Sequence, residues 1–155
     1  MRSMKILLSV LTVLSLAPAV WLPHRVRAAT CTGISCNGLD PVTTGCSVDA
    51  YIVSSAPIIA TSTGTGQIGT VYYKWSPTCQ AGYGTTETMG GPAASIVAHI
   101  WGGQGSGSGR IGRNTNTVNS TLIGAGSYCD LFASGVITMT TGGTTGGAGT
   151  PKSCP

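Results

Sequence analysis

Apolar side chains in this chain alternate with polar ones in short runs, and glycine, proline, asparagine and serine interrupt them. An alternation of period two is the signature of half-buried strands. The clearest run is Val71-Tyr72-Tyr73-Lys74-Trp75, where Val71, Tyr73 and Trp75 point one way and Tyr72 and Lys74 the other. Ser76-Pro77 ends it, and Cys79 pins its end. A second strand is predicted over residues 94–101, with Ile96, Ala98 and Ile100 on one face and Val97, His99 and Trp101 on the opposite one. Apolar content on both faces points to a central position. Residues 51–60 are apolar but broken by Ser54, Ser55 and Pro57, which predicts a strand that bends or lies at an edge, followed by a turn over 61–69. Strands are also expected over 115–123 and 136–141, with a further one around Cys129 over 127–133. The glycine-rich stretches 102–112 and 142–149 read as long flexible loops. No helical period is visible, so the pattern predicts an all-β fold: a small antiparallel sandwich or barrel.

The N-terminal segment has a different character. Met1 to Lys5 is a short basic stretch, Ile6 to Leu16 is an apolar run, and Val26-Arg27-Ala28 offers small residues where a processing peptidase would cut. This predicts a secretory signal peptide over 1–28, with Ala17-Pro18-Ala19 as a second cleavage site, and a single domain over 29–155. The apolar run is too short to span the ~30 Å of a bilayer core at ~1.5 Å per residue, so no membrane anchor is expected after cleavage. The expected location is extracellular.

The charge changes when the leader is set aside. The chain's formal +4 comes from 8 Lys+Arg against 4 Asp+Glu. Arg2, Lys5, Arg25 and Arg27 lie in the leader; beyond it Lys74, Arg110, Arg113 and Lys152 balance Asp40, Asp49, Glu87 and Asp130. A neutral product has no electrostatic reason to hold nucleic acid.

All six cysteines, Cys31, Cys36, Cys46, Cys79, Cys129 and Cys154, lie beyond the leader. In an oxidising compartment they should form three disulfides. Proximity favours Cys129 with Cys154, which leaves three ways to join the first four. Cys31 with Cys36 and Cys46 with Cys79 is the preferred arrangement, the others staying open. No C-x2-C knuckle is present and His99 is the only histidine beyond the leader, so the spacing predicts no metal and no cofactor.

The residues Cys31-x4-Cys36-Asn37-Gly38-x-Asp40-Pro41-x4-Cys46-x2-Asp49-Ala50, followed by Trp75-Ser76-Pro77-x-Cys79, carry a family pattern. Over residues 31–79 the chain resembles the small secreted bacterial proteins grouped as domain of unknown function 2690, with Trp75 where members usually have Tyr. The resemblance implies bacterial secretion and a disulfide-bonded β-rich fold, and it brings no established activity or catalytic residue. The simplest role for Asp40 is structural, its carboxylate accepting turn amides while Pro41 fixes the adjacent φ.

Catalysis is poorly provided for. A Ser-His-Asp arrangement would have to use His99, with Asp49 or Asp130 to orient it, and no nucleophile elbow on a strand-to-helix turn supports one. A glycosidase pair would have to come from Asp49 with Glu87 or Glu87 with Asp130. The G-x-G-x-x-G of residues 107–112 precedes a predicted strand rather than a helix, so it offers no pyrophosphate site. Binding asks for less: Tyr72, Tyr73, Tyr83 and Trp101 are candidate contact residues for a neutral polymer or a protein partner. The expected function is that of a secreted, non-catalytic extracellular protein. The alternative is a small secreted hydrolase using His99 or a carboxylate pair.

Overall fold

The computed structural model describes residues 28–61, 66–102, 105–106, 109–124, 129–140 and 142–155. Of the predicted leader over 1–28, residues 1–27 lie outside these. Among them the chain is nearly all β, in two antiparallel sheets.

The first sheet runs in the order β1 (Tyr51–Ile59), β2 (Gln67–Ser76), β3 (Ala81–Thr88), with β7 (Thr117–Asn119) and β8 (Ile123–Gly124) pairing successive parts of β3. The second has the order β10 (Thr145–Gly149), β9 (Phe132–Met139), β4 (Ala93–Gly102), with β5 (Gly105–Ser106) and β6 (Arg110–Gly112) along the far side of β4. As the alternation implied, β4 is central. β1 both lies at an edge and bends, with register irregularities between Ile52 and Ser54 and again between Ile58 and Ile59. Pro57 is accommodated because an edge strand has one side on which a missing N–H costs no ladder bond.

The sheets face each other across a core of Ile58, Val71 and Tyr73 from the first and Ile96, Ile100, Ala133 and Ile137 from the second. At β3 they approach far more closely than the ~10 Å of an ordinary sandwich. Thr86 Oγ1 of β3 donates directly to the Val97 carbonyl of β4 at 2.9 Å. A Cβ on Gly84 would stand 2.5 Å from the His99 carbonyl oxygen, and one on Gly135 of β9 would overlap the Thr86 side chain. The inward positions of β3 are therefore Gly82, Gly84 and Thr86, while its large residue, Tyr83, points outward. That inversion hides the strand from a hydrophobicity pattern, and sequence reasoning passes over it.

Four expectations need correction. The stretch 142–149 is not a loop: Thr145–Gly149 is an edge strand paired to β9. Residues 102–112 likewise contain β5 and β6, although 103, 104, 107 and 108 lie outside the described residues. The predicted turn over 61–69 ends early, since Gln67 already belongs to β2. The strand expected over 115–123 is divided between β7 and β8. In each case backbone ladder bonds to a neighbouring strand organise residues that have little side chain to signal it.

Residues 29–50 form a knot of turns on the outer surface of the first sheet, over Ala81, Tyr83 and Leu122. Bridges Cys31–Cys36 and Cys46–Cys79 hold it, the preferred one of the three ways left open for these four, and Cys129–Cys154, which proximity favours, ties down the C-terminal tail. For bridges 33 and 25 residues apart, the entropic model gives about 3–4 kcal/mol each. Backbone bonds reinforce the docking: Gly33 N to Cys79 O at 2.7 Å and Leu122 N to Leu39 O at 2.8 Å.

Both aspartates of the family pattern work as turn acceptors. Asp40 Oδ1 accepts the amides of Val42 at 2.7 Å and Thr43 at 3.0 Å, and its other oxygen pairs with the Arg110 guanidinium of β6. Asp49 accepts the Ser76 hydroxyl at 2.6 Å and the Thr78 amide at 2.9 Å, fixing the turn that delivers Cys79. Partial burial would raise both carboxyls. In Asp40 the turn amides and then Arg110 outweigh it, and in Asp49 the Ser76 and Thr78 bonds do, so both lie below the ordinary carboxylate range.

Two predictions follow from this packing and charge. Gly84→Ala is expected to destabilise by about 1–3 kcal/mol through overpacking, whereas Gly147→Ala, whose Cβ meets nothing nearer than 3.5 Å, leaves stability unchanged or raises it by about 0.5 kcal/mol. Urea titration of the two variants distinguishes them. A depressed folded pKa contributes stability above the unfolded value, and that contribution is lost as pH falls through the folded value. The wild-type thermal midpoint should therefore fall between about pH 5 and pH 2, and Asp49→Asn should show a lower midpoint at neutral pH with a shallower acid decline.

Candidate functional site

The sequence candidates do not come together on one surface. Tyr73 is fully buried in the core, and burial pushes its hydroxyl well above the usual tyrosine range. Tyr83 is buried beneath the disulfide knot, and desolvation, assisted by the nearby Asp49 charge, raises it to about 12. Neither can meet a ligand. Their side chains fill the core and the seat of the knot because these are the two places where the first sheet buries large surface. Tyr72 is half-buried on the outer face of the first sheet, with Lys74 Nζ 5.6 Å from its ring centroid. Trp101 lies on the second sheet. Of the four, only Trp101 belongs to a larger exposed constellation.

That constellation is the outer face of the second sheet. Since β4 turns Ile96, Ala98 and Ile100 inward, it must turn Val97, His99 and Trp101 outward. β9 pairs with it so that Trp101 stands opposite Phe132, His99 opposite Ser134 and Val97 opposite Val136. The rings are parallel: His99 stacks on Trp101 with centroids 5.6 Å apart, and Trp101 on Phe132 at 6.3 Å, both with planes 15° apart. Trp101 Nε1 donates to Ser134 Oγ at 2.9 Å, which fixes the indole across the two strands and satisfies its one polar atom. The imidazole of His99 is backed by Gly109, where any Cβ would overlap the ring. Its Nδ1 is buried and has no partner among the described residues.

Beside this row the face is smooth. β10 carries Gly147 opposite Val136 and Gly149 opposite Ser134, so beside these residues its outward side presents backbone alone, with Thr145 the one outward side chain at the far end. Val136 is 47% exposed, Trp101 36% and, from β6, Ile111 67%. The strands β4, β9 and β10 contain no lysine, arginine, aspartate or glutamate.

A hydrolytic centre is not assembled among the described residues. Among the described residues His99 makes no hydrogen bond to a serine or a carboxylate. Asp49 is bound to Ser76, whereas Glu87 stands opposite Thr70, six residues along β2 and hence about 20 Å away. Glycosidase carboxyls sit about 5–9.5 Å apart. Asp130 precedes Leu131, which packs near Gly82, at the opposite end of β3 from Glu87.

Phe132, Ser134 and Val136 were not singled out by sequence reasoning. The signal available was the alternation of outward Phe132, Ser134 and Val136 with inward Ala133, Gly135 and Ile137. It could identify a strand but not the neighbour that brings Phe132 beside Trp101.

A family described as protein of unknown function (DUF2690) matches residues 34–124. The match includes His99 and Trp101 and extends well beyond the Cys31–Cys79 pattern, but it stops before β9 and β10. No curated protein and no solved structure matches the chain. With more than half of its length matched, from the disulfide knot through β8, the chain belongs to this family of unknown function.

Proposed function

We propose that this is a secreted, non-catalytic binding protein that holds a neutral polysaccharide on the outer face of its second sheet. The observation that carries this reading is the fixed row His99, Trp101 and Phe132 on a face whose neighbouring strand offers only glycine, Gly147 and Gly149, opposite Val136 and Ser134. Sugar rings present apolar C–H faces that settle against aromatic surface, and a smooth glycine strand lets an extended chain lie flat next to the rings. Three strands without an ionised carboxylate, ammonium or guanidinium favour an uncharged ligand over an acidic one. Each ring contributes on the order of 1 kcal/mol, so retention depends on several contacts along one polymer.

Export is supported by the apolar leader pattern, by three disulfides with no free cysteine, and by the absence among the described residues of any helix long and apolar enough to cross a membrane.

The test is retention of the purified protein on insoluble chitin, cellulose and peptidoglycan. Wild type is expected to be retained on at least one; Trp101→Ala should lower retention about tenfold, corresponding to ~1.4 kcal/mol. Tyr72→Ala, on the other sheet, should leave it unchanged. Wild type passing through all three matrices, or Trp101→Ala binding as well as wild type, overturns the reading.

A further inference from the structure

The disulfide knot brings four sulfurs from separated segments into one cluster. Cys31 lies two residues before a single turn of 3-10 helix, Gly33–Cys36, and Cys36 ends it, while Cys46 closes the following turns and Cys79 sits just beyond β2. All four are buried, and their Sγ atoms lie within 4.8 Å of one another. Cys31 Sγ and Cys46 Sγ, which belong to different bridges, are 3.8 Å apart. Zinc held by four thiolates at ~2.3 Å needs its sulfurs ~3.8 Å from one another, the edge of a tetrahedron of that radius. One of the four separations between the bridges already has this value, and the others are no more than 4.8 Å. Parting each bonded pair, normally ~2.0 Å apart, by less than ~2 Å, with shifts of no more than ~1 Å between the bridges, brings the four sulfurs to a tetrahedron.

A second observation points to a charged sulfur. The buried Thr44 hydroxyl lies 2.7 Å from the Asp40 carbonyl and 3.1 Å from Cys46 Sγ. It has a single proton to donate. A disulfide sulfur is a poor acceptor, so the carbonyl takes that proton in the oxidised knot; a thiolate at Cys46 competes for it strongly. Donors of this kind, just outside the ligands, tune and stabilise metal-bound thiolates.

We propose that Cys31, Cys36, Cys46 and Cys79 form a closed tetrathiolate site for zinc, or another soft divalent cation, in the reduced chain. The metal-bound and disulfide forms are exclusive states of one knot. Opening takes two electrons and two protons per bridge: two reductant thiols supply both and leave as their disulfide, or a phosphine supplies the electrons and leaves as its oxide while one water gives the two protons and the oxygen. Zinc then displaces the four thiol protons. In the reverse direction four electrons pass to a disulfide oxidant, two S–S bonds form and zinc departs. With four protein ligands and no open position, the metal serves as a structural clasp rather than a catalyst. The absence of a C-x2-C knuckle counts against a zinc ribbon, not against a site whose ligands only the fold brings together.

The experiment uses the full chain and a Cys129→Ser, Cys154→Ser variant, which keeps only the four knot thiols. Both are reduced with a phosphine under anaerobic conditions and titrated with Co2+, then with Zn2+. The expected result is one Co2+ per chain, with an intense near-ultraviolet sulfur-to-cobalt charge-transfer band and the visible bands of tetrahedral coordination, both abolished as Zn2+ displaces cobalt. Zinc should protect Cys31, Cys36, Cys46 and Cys79 from alkylation, read by peptide mass, and leave Cys129 and Cys154 reactive. Thr44→Val should weaken binding about tenfold. Absence of the charge-transfer band, or alkylation of the four knot cysteines at the same rate with and without zinc, overturns the proposal. Because the protection pattern is read on the unaltered chain, the outcome does not depend on any cysteine variant folding.

Discussion

The seam where β3 meets β4 and β9 governs the rest of the molecule. Two sheets whose backbones nearly touch leave no room for side chains between them, so the inward positions there are Gly82, Gly84, Thr86 and Gly135, and the Thr86 hydroxyl bonds straight across to Val97. The apolar core is displaced to the flanks, where Ile58, Val71 and Tyr73 meet Ile96, Ile100 and Ile137. The domain consequently keeps a small core, and a second cluster under the knot, of Ala81, Tyr83 and Leu122 with four cysteines, makes up part of the difference. Covalent bridges serve most where burial is limited.

The same seam decides what was legible from the amino-acid order. The all-β class could be read because Val71 to Trp75 and Ile96 to Trp101 alternate cleanly, and the central place of the second run was visible in its two apolar faces. Pro57 marked an edge. The turn role of Asp40 was legible in the Asp40-Pro41 pair, whereas that of Asp49 depends on Ser76 and Thr78, which only the fold brings to it. β3 and β10 were not legible. Their inward positions hold the smallest residues in the chain, so the usual contrast between apolar and polar positions vanishes where the sheets come closest. Glycine there records proximity, not flexibility.

The candidate site was half legible for a related reason. Trp101 announced itself as an outward residue on a central strand, but Tyr73 and Tyr83 have the same composition signal and are buried. Which aromatic faces water depends on what covers each sheet. The knot covers the first, over Tyr83, while nothing among the described residues covers Trp101. Its partner Phe132 arrives through strand pairing over a long sequence separation, beyond the reach of local patterns. The family match runs from Ile34 to Gly124, so the shared part contains the knot except its first residues and Cys31, together with the tryptophan, whereas the phenylalanine and the smooth strand beside it come from the remainder of this chain.

One small contact has a disproportionate effect on how the protein meets its neighbours. β1 and β10 are the terminal strands of their respective sheets, each a row of unanswered amides and carbonyls that invites another polypeptide to dock alongside. Ala60 forms a lone bridge with Gly146, and Thr61 donates through both its amide and its hydroxyl to the Thr145 carbonyl. Where they meet, each raw margin is answered by the other. A domain whose described residues set four basic groups against four acidic ones, and so have little ionic repulsion to keep copies apart, thereby closes part of the border along which they would otherwise zip together.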